Sequence, residues 1–94
     1  MRVVFAAEAE IDLDAAVEYL ALRNPVAAFQ LLDDIRSLVA RLSAGDFEGP
    51  MMKLTSGEMI RSWPLPPLRI YYRRSSDVLE IVRIYHQARR PIAR

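Results

Sequence analysis

The chain has 94 residues, of which 52% are hydrophobic, 9% aromatic and 27% charged. This composition excludes a disordered chain, and the length fits one domain with one hydrophobic core, which we expect to span residues 1–94. Because the sequence has no cysteine and one histidine, it excludes disulfides, thiolate metal sites and multi-histidine metal sites, so we expect no cofactor.

No stretch approaches the roughly 20 apolar residues of a membrane span, and the first residues lack the apolar segment of a signal peptide. We therefore expect a cytoplasmic protein with no membrane partner. Residues 1–49 hold four basic and nine acidic side chains, whereas residues 50–94 hold nine basic and three acidic ones. This asymmetry suggests an acidic or nucleic-acid partner for the second half. The alternative is that folding brings the two halves together, so that their opposite charges cancel.

The first half of the chain predicts one strand and two helices. Residues 2–6 are β-branched and aromatic, as in a strand. From Glu8, two apolar sets recur at helical spacing, with acidic residues in the first turns: Ile11, Ala15, Tyr19 and Leu13, Ala16, Val17, Leu20. Asn24 and Pro25 can begin a second helix, and Gly45 can end it. Its apolar stripe is Ala28, Leu31, Leu32, Ile35, Leu38, Val39 and Leu42, and the two helices should form an antiparallel hairpin.

After Pro50 the periodicity falls towards two, which is typical of strands at 51–54, 59–63, 68–74 and 78–85. The last two segments should form a hairpin. The prolines at 64, 66 and 67 lack an amide hydrogen and predict a bend or bulge at a sheet edge. We predict an α+β fold of order β-α-α-β-β-β, in which the helical hairpin packs on one face of a mainly antiparallel sheet.

Three side chains of the segment 68–74 should share one side of the strand: Arg69, Tyr71 and Arg73. Two arginines around a tyrosine can stack on bases and pair with phosphates, or bind acidic residues of a protein partner. A solvated outer face of the sheet is the alternative, because charged outer faces are ordinary in antiparallel sheets.

Arg83 interrupts the last apolar segment. If its side of the strand is the core side, it must pair with an acid, for which the helices are the expected source. Otherwise the core side consists of Val78, Val82 and Ile84 together with Glu80, and the alternation does not decide between the two. Trp63 is expected to be a core residue, because a lone tryptophan in a small domain is usually buried.

His86 follows the last strand and precedes Arg89 and Arg90. Histidine titrates near neutral pH and can act as a general base. The alternative is a strand-end residue whose ring packs against Tyr85 or a helix. The two arginines suggest a cationic edge beside it.

The stretches "LALRNPVAA" and "LRIYYRRSSDVLEIVRIYHQARR" and the predicted element order resemble the ParE/RelE superfamily of small bacterial toxins, in its ParE-like branch. The resemblance implies the growth-inhibiting toxin of a type II toxin-antitoxin system, which stabilises a plasmid or chromosome. It also implies a DNA gyrase inhibitor that is neutralised when the C-terminal segment of a cognate antitoxin, a helix plus an extended piece, binds in a groove across the helices and sheet. Operator DNA would be contacted only through the antitoxin. The binding residues assigned on this basis are Arg69, Tyr71, Arg73, Arg83, His86, Arg89 and Arg90.

The RelE-like members of the superfamily instead cut messenger RNA on the ribosome. Carrying over their cationic positions gives Arg61, Arg69 and Arg89, with His86 in place of a general base. Arg61 stands alone where those members have a pair of lysines, and a guanidinium is a poor proton acceptor. The sequence also has no room after Tyr85 for their C-terminal helix with a catalytic tyrosine. It therefore favours a toxin that is not an enzyme, with an endoribonuclease and a degenerate, non-toxic antitoxin-binding member as alternatives.

Overall fold

Two helices and five strands make up the computed structural model, which describes residues 1–87. In chain order the elements are β1 (Arg2–Phe5), α1 (Ala7–Arg23), α2 (Pro25–Ala44), β2 (Met51–Lys53), β3 (Met59–Leu65), β4 (Leu68–Arg74) and β5 (Val78–His86). All four strand segments predicted after Pro50 are present, so the element order is β-α-α-β-β-β-β, and the predicted order β-α-α-β-β-β counts one strand too few. The three-residue strand β2 pairs with β3 and forms one edge of the sheet. Among the helices of the described residues, none is long and apolar enough to cross a membrane.

The strands lie side by side in the order β1-β5-β4-β3-β2. β1 runs parallel to β5, and every other neighbouring pair is antiparallel. The predicted α+β fold with a mainly antiparallel sheet is therefore confirmed. The first strand of the chain lies beside the last one, so α1, which directly follows β1, also packs against β5.

The boundary between the helices follows the predicted capping chemistry. The Asn24 side chain accepts a hydrogen bond from the Ala27 amide at 3.2 Å, and Pro25 is the first residue of α2. Gly45 ends α2 with φ 79°, a left-handed conformation that glycine adopts without steric cost. These local signals begin and end α2 at the predicted residues.

The main core lies between the helices and one face of the sheet. The predicted stripe of α2 is buried, except Leu32, which is only partly buried, and its buried members other than Ala28 belong to this core. α1 contributes one fully buried residue, Ala9, while its other core contacts are partly buried. Trp63 is also only partly buried at the margin of this core, where its ring centre lies 4.3 Å from that of Phe47.

The proline segment differs in part from the prediction. β3 continues through Pro64, which pairs with Arg69, and the turn falls at Pro66 and Pro67. β2 pairs only with the first three residues of β3, so Pro64 lies where β3 has become a sheet edge. On the β2 side of β3, the Ser62 amide donates to the Pro50 carbonyl. The Pro64 nitrogen, two residues later, points to the same side and has no hydrogen to donate.

One irregularity interrupts the pairing of β4 with β5. Tyr71 pairs with Arg83 but Tyr72 pairs with Ile81, so Val82 is an extra residue in β5. The core residues of β5 are Leu79 and Ile81 before this bulge and Ile84 after it. Strict alternation therefore fails for β5, which is why neither core side proposed for Arg83 from the sequence is the observed one.

Candidate functional site

A mainly apolar groove of about 350 Å³ opens between α1 and the end of the sheet at which β5 finishes. Its apolar walls include Ala15, Ala16, Tyr19 and Leu20 from α1 with Leu68 and Ile84 from the sheet, and its polar members are Asp12 and His86. The groove lies here because β1 ends at Phe5, whereas β5 continues five residues beyond its partner in that strand. We call it the α1–β5 groove.

Asp12 joins α1 to β5 at the rim of the α1–β5 groove. Its carboxylate accepts hydrogen bonds from Nε and Nη2 of Arg83 at 2.8 and 3.0 Å, and from the Ile84 amide at 2.9 Å. Glu8 accepts from Arg83 Nη1 at 2.9 Å. The Asp12 side chain is 11% exposed and that of Arg83 20% exposed. Arg83 therefore pairs with two acids of α1, the source expected from the sequence if its side of β5 were the core side, although that core side is not the observed one.

The environment of Arg83 fixes both its charge and its position. The hydrogen bond with Asp12 raises the pKa of the Arg83 guanidinium above its usual value, against a smaller lowering by burial. The guanidinium carbon also lies 4.6 Å from the centre of the Tyr85 ring. Most of the donor capacity of Arg83 is therefore used inside the chain.

The three predicted side chains of β4 do share the outer face of the sheet, away from the helices. Arg69 donates to Ser62 Oγ at 2.9 Å, and Arg73 pairs with Glu58 and Glu80. The hydrogen bond with Glu80 is the main cause that raises the pKa of Arg73.

Tyr71 differs from the two arginines because it is only 4% exposed. It belongs to a small apolar cluster on the outer face with Leu54, Ile60 and Val82. Its ring meets that of Tyr85 edge-on at 5.8 Å between centres. The expected stacking of Tyr71 on a base is therefore wrong for this conformation, since almost no ring surface is accessible.

Arg61 is held in a separate cluster, near the connection between α2 and β2. Its Nε lies 3.1 Å from Glu48 Oε2, and its Nη1 donates to the Gly49 carbonyl at 2.8 Å. Glu48 also pairs with Arg74 at 2.6 Å. The Gly49 amide donates to the Tyr72 hydroxyl at 2.7 Å, and burial is the main cause that raises the pKa of this phenol above its usual 10.0.

Among residues 1–87, the residues assigned to a nuclease do not converge on one face. Arg61 pairs with Tyr72 in the sheet and shares its helix-facing side, whereas Arg69 lies on the outer face. His86 pairs with Leu68 at the end of β5, where it lines the α1–β5 groove. Arg89 and Arg90 lie outside the described residues, so their assigned roles stay predictions.

Folding brings the acidic first half onto the basic second half. Within residues 1–87, the arginines of the second half that pair with acids are Arg61, Arg73, Arg74 and Arg83. Arg69 and Lys53 form no such pair in the same range. Much of the charge asymmetry is therefore internal, and Arg69 is the assigned arginine that keeps an uncompensated charge there.

Sequence reasoning missed the two acids that organise these clusters. Asp12 is one of the acids in the first turns of α1, and nothing in the sequence distinguishes it from the neighbouring acids. Glu48 stands in a short connection with no periodic pattern. Its role arises only when that connection packs against β3 and β4. These strands are distant from Glu48 in the sequence, so its contacts with Arg61 and Arg74 cannot be predicted from neighbouring residues.

Comparison with known proteins identifies a matching family model and solved structures with the same fold. The family model described as ParE toxin of type II toxin-antitoxin system, parDE, matches residues 3–91. Curated protein sequences contain no match to the chain. A solved structure of the chromosomal ParDE TA system from P. aeruginosa is 23% identical and has a TM-score of 0.72, with 92% of this chain and 95% of that chain covered.

A structure of a YafQ mutant from E. coli has the same fold at 16% identity, with a TM-score of 0.64 and coverage of 94% of this chain and 96% of that one. These two likenesses support the fold, and the family model covers nearly the whole sequence. The chain belongs to the ParE family of toxins of type II toxin-antitoxin systems.

Proposed function

We propose that this toxin inhibits DNA gyrase without being a nuclease, and that a cognate antitoxin neutralises it by binding. The observation that carries the proposal, beyond family membership, is the separation of Arg61 from Arg69 and His86. Cleavage of RNA requires a base, an acid and cations that converge within hydrogen-bonding distance of one phosphate. Arg69 and His86 lie at the same end of the sheet but on opposite faces, and Arg61 lies opposite Tyr72, away from that end.

Arg61 further supports a role other than catalysis. Its guanidinium already contacts Glu48 and the Gly49 carbonyl. A guanidinium also stays protonated in proteins, so it cannot serve as the base. We assign Arg61 to holding the connection between α2 and β2 on the sheet.

The surface that we propose for the target is the end of β5. Arg69 keeps an uncompensated charge on the outer face there, pairing in register with Tyr85. His86 is exposed at the same end, and Arg89 and Arg90 follow it in the sequence. Arg83 supports this end through its pair with Asp12, whereas Arg73 pairs with Glu80 near the start of β5. A cationic end of this kind favours contact with an acidic protein surface or with DNA held by the target.

The surface that we propose for the antitoxin is the α1–β5 groove. Its lining is mainly apolar, and Tyr19 at its rim is 58% exposed. An amphipathic helix that lies in such a groove buries apolar side chains at spacings of three and four residues. This arrangement fits the C-terminal segment of an antitoxin, and the toxin would reach operator DNA only through the antitoxin.

Expression of the chain in bacteria without an antitoxin tests the proposal. We expect cells to form filaments and to signal DNA damage, because trapped gyrase leaves broken DNA. Rapid loss of translation with cut messages would instead support the endoribonuclease, and normal growth would support the degenerate member.

His86→Ala separates the first two outcomes further. For a gyrase inhibitor we expect a partial loss of toxicity, about tenfold or less, because one contact of a larger surface is removed. A general base would cost about 100-fold or more. The measurement is the inducer concentration that stops growth, with Gln87→Ala as the neighbouring control. A loss of 100-fold in the His86 variant alone would contradict the proposal.

A further inference from the structure

One apolar stripe of α1 faces solvent instead of the core. It consists of Ile11, Ala15, Tyr19 and Leu22, which recur at helical spacing, and we call it the outer stripe. The exposed fraction is 67% for Ile11, 58% for Tyr19 and 80% for Leu22. Ala15 and Tyr19 also line the α1–β5 groove, so the two surfaces are continuous. Contiguous exposed apolar surface marks an interaction site in a soluble domain.

A row of carboxylates runs along one side of the outer stripe. It consists of Glu10, Asp14 and Glu18, spaced four residues apart, and we call it the acidic row. Within residues 1–87, none of the three forms an ion pair with another side chain. Like charges at this spacing destabilise a helix, and Glu18 lies in the half of α1 where the helix dipole does not compensate a negative charge.

The other side of the outer stripe carries acids of a different kind. Glu8 and Asp12 both contact Arg83, which neutralises much of their charge. The uncompensated negative potential therefore lies on one side of the outer stripe only. This asymmetry specifies both the chemistry and the orientation of a partner.

We propose that the outer stripe and the acidic row bind a basic amphipathic helix. Its apolar side chains would cover the outer stripe, and its lysines or arginines would face the acidic row. The inference rests on the proposed function in taking the antitoxin's C-terminal segment as the source of this helix. It adds that the part of the segment that lies along α1 is basic. The proposed cationic end of β5, in contrast, favours acidic partners.

Charge favours a basic helix over a second copy of this chain as the occupant. In an antiparallel pair of α1 helices, the two acidic rows face each other, which opposes association. In a parallel pair, each acidic row faces the side on which Glu8 and Asp12 of the other copy are already paired with Arg83, so the acidic row gains no cationic partner. Only a partner with its own basic side chains compensates the acidic row.

Two synthetic peptides with the same leucine stripe test the inference, one flanked by lysines and the other by glutamates. We expect the full chain to bind the lysine peptide about tenfold or more tighter at low ionic strength, measured by fluorescence anisotropy, with the preference weakening in salt. The triple variant Glu10→Lys, Asp14→Lys, Glu18→Lys should reverse the preference. Leu22→Asp should weaken binding of both peptides.

Asp33→Lys is the matched control, since Asp33 is an exposed acid of α2 that is paired with Arg36. It should keep the preference for the lysine peptide, and circular dichroism checks that each variant is folded. Equal affinity for both peptides, binding of neither, or a Leu22-dependent homodimer in sedimentation would overturn the inference. If the chain is toxic in cells but does not prefer the lysine peptide, the inference is refuted and the proposed function stands. If the chain is not toxic but prefers the lysine peptide, the proposed toxicity is refuted and the inference stands.

Discussion

At the scale of single residues, Asp12 has the largest structural role in the site. It satisfies Arg83 and also the Ile84 amide, which faces an edge of β5 that β1 no longer covers. A mostly buried ion pair adds little net stability when intact, because desolvation offsets the attraction. Loss of one partner is costly, since the other charge stays buried without compensation.

Asp12→Ala should therefore lower the free energy of unfolding by about 2–4 kcal/mol, measured in urea. Asp14→Ala is the control, because Asp14 lies on the exposed side of the same helix without an ion pair in residues 1–87. The control should change stability by about 0.5 kcal/mol or less. Similar losses in the two variants would contradict the role assigned to Asp12.

Tyr72 gives the stability a dependence on alkaline pH. Burial raises the pKa of its phenol above 10.0, so the unfolded chain releases this proton at a lower pH than the folded chain does. The resulting stability is complete below pH 10.0 and is lost as pH rises through the folded-state pKa.

Tyr72→Phe should remove this contribution to the loss of stability as pH rises above 10.0. At neutral pH it should cost about 1–2 kcal/mol, because the Gly49 amide loses its acceptor. Urea unfolding at a series of pH values measures both effects, with Tyr19→Phe on the exposed side of α1 as control. Parallel pH profiles for wild type and Tyr72→Phe would contradict the assignment.

At the scale of elements, the connection between α2 and β2 is fixed tightly to the sheet. Gly49 is buried, and a Cβ atom there would lie 1.9 Å from the Ser62 carbonyl oxygen. Only glycine permits this approach, which also positions Gly49 for its bonds with Arg61 and Tyr72.

Gly49→Ala should therefore cost about 3 kcal/mol or more of unfolding free energy, because the connection must move and both hydrogen bonds break. Pro50→Ala tests whether any change in this connection has the same effect. It should cost about 1 kcal/mol or less, since Pro50 is exposed and its carbonyl bond to Ser62 is kept. A Gly49→Ala protein as stable as wild type would contradict the close approach.

The elements that the sequence predicted well are those specified by local signals. Asn24 and Gly45 bound α2 through their own backbone and side-chain chemistry, so neighbouring residues are sufficient to predict them. The bulge at Val82 was not predicted, because one inserted residue is invisible in an apolar segment whose alternation is already imperfect. The partner of Arg83 was predicted only as a class of residue, since its identity depends on the packing of α1 against β5.

At the scale of the whole molecule, the charge asymmetry of the sequence becomes a set of internal pairs. Glu48 and Asp12 from the first half neutralise arginines of the second half. The sequence therefore overstated the cationic surface, because net charge along a chain does not say which charges meet after folding. What remains among residues 1–87 is the uncompensated charge of Arg69 near the end of β5 and an acidic, apolar face on α1, two surfaces of different chemistry.

Supercoiling by purified DNA gyrase in the presence of the purified chain tests the central claim most directly. We expect the chain to inhibit supercoiling and to increase cleaved DNA, and a charge reversal at the end of β5, Arg69→Glu, to reduce both effects about tenfold or more. Lys53→Glu, which reverses another exposed charge away from that end, should leave them near the wild-type level. Unchanged gyrase activity at a chain concentration that stops growth in cells, together with cut messages on translating ribosomes, would contradict the account.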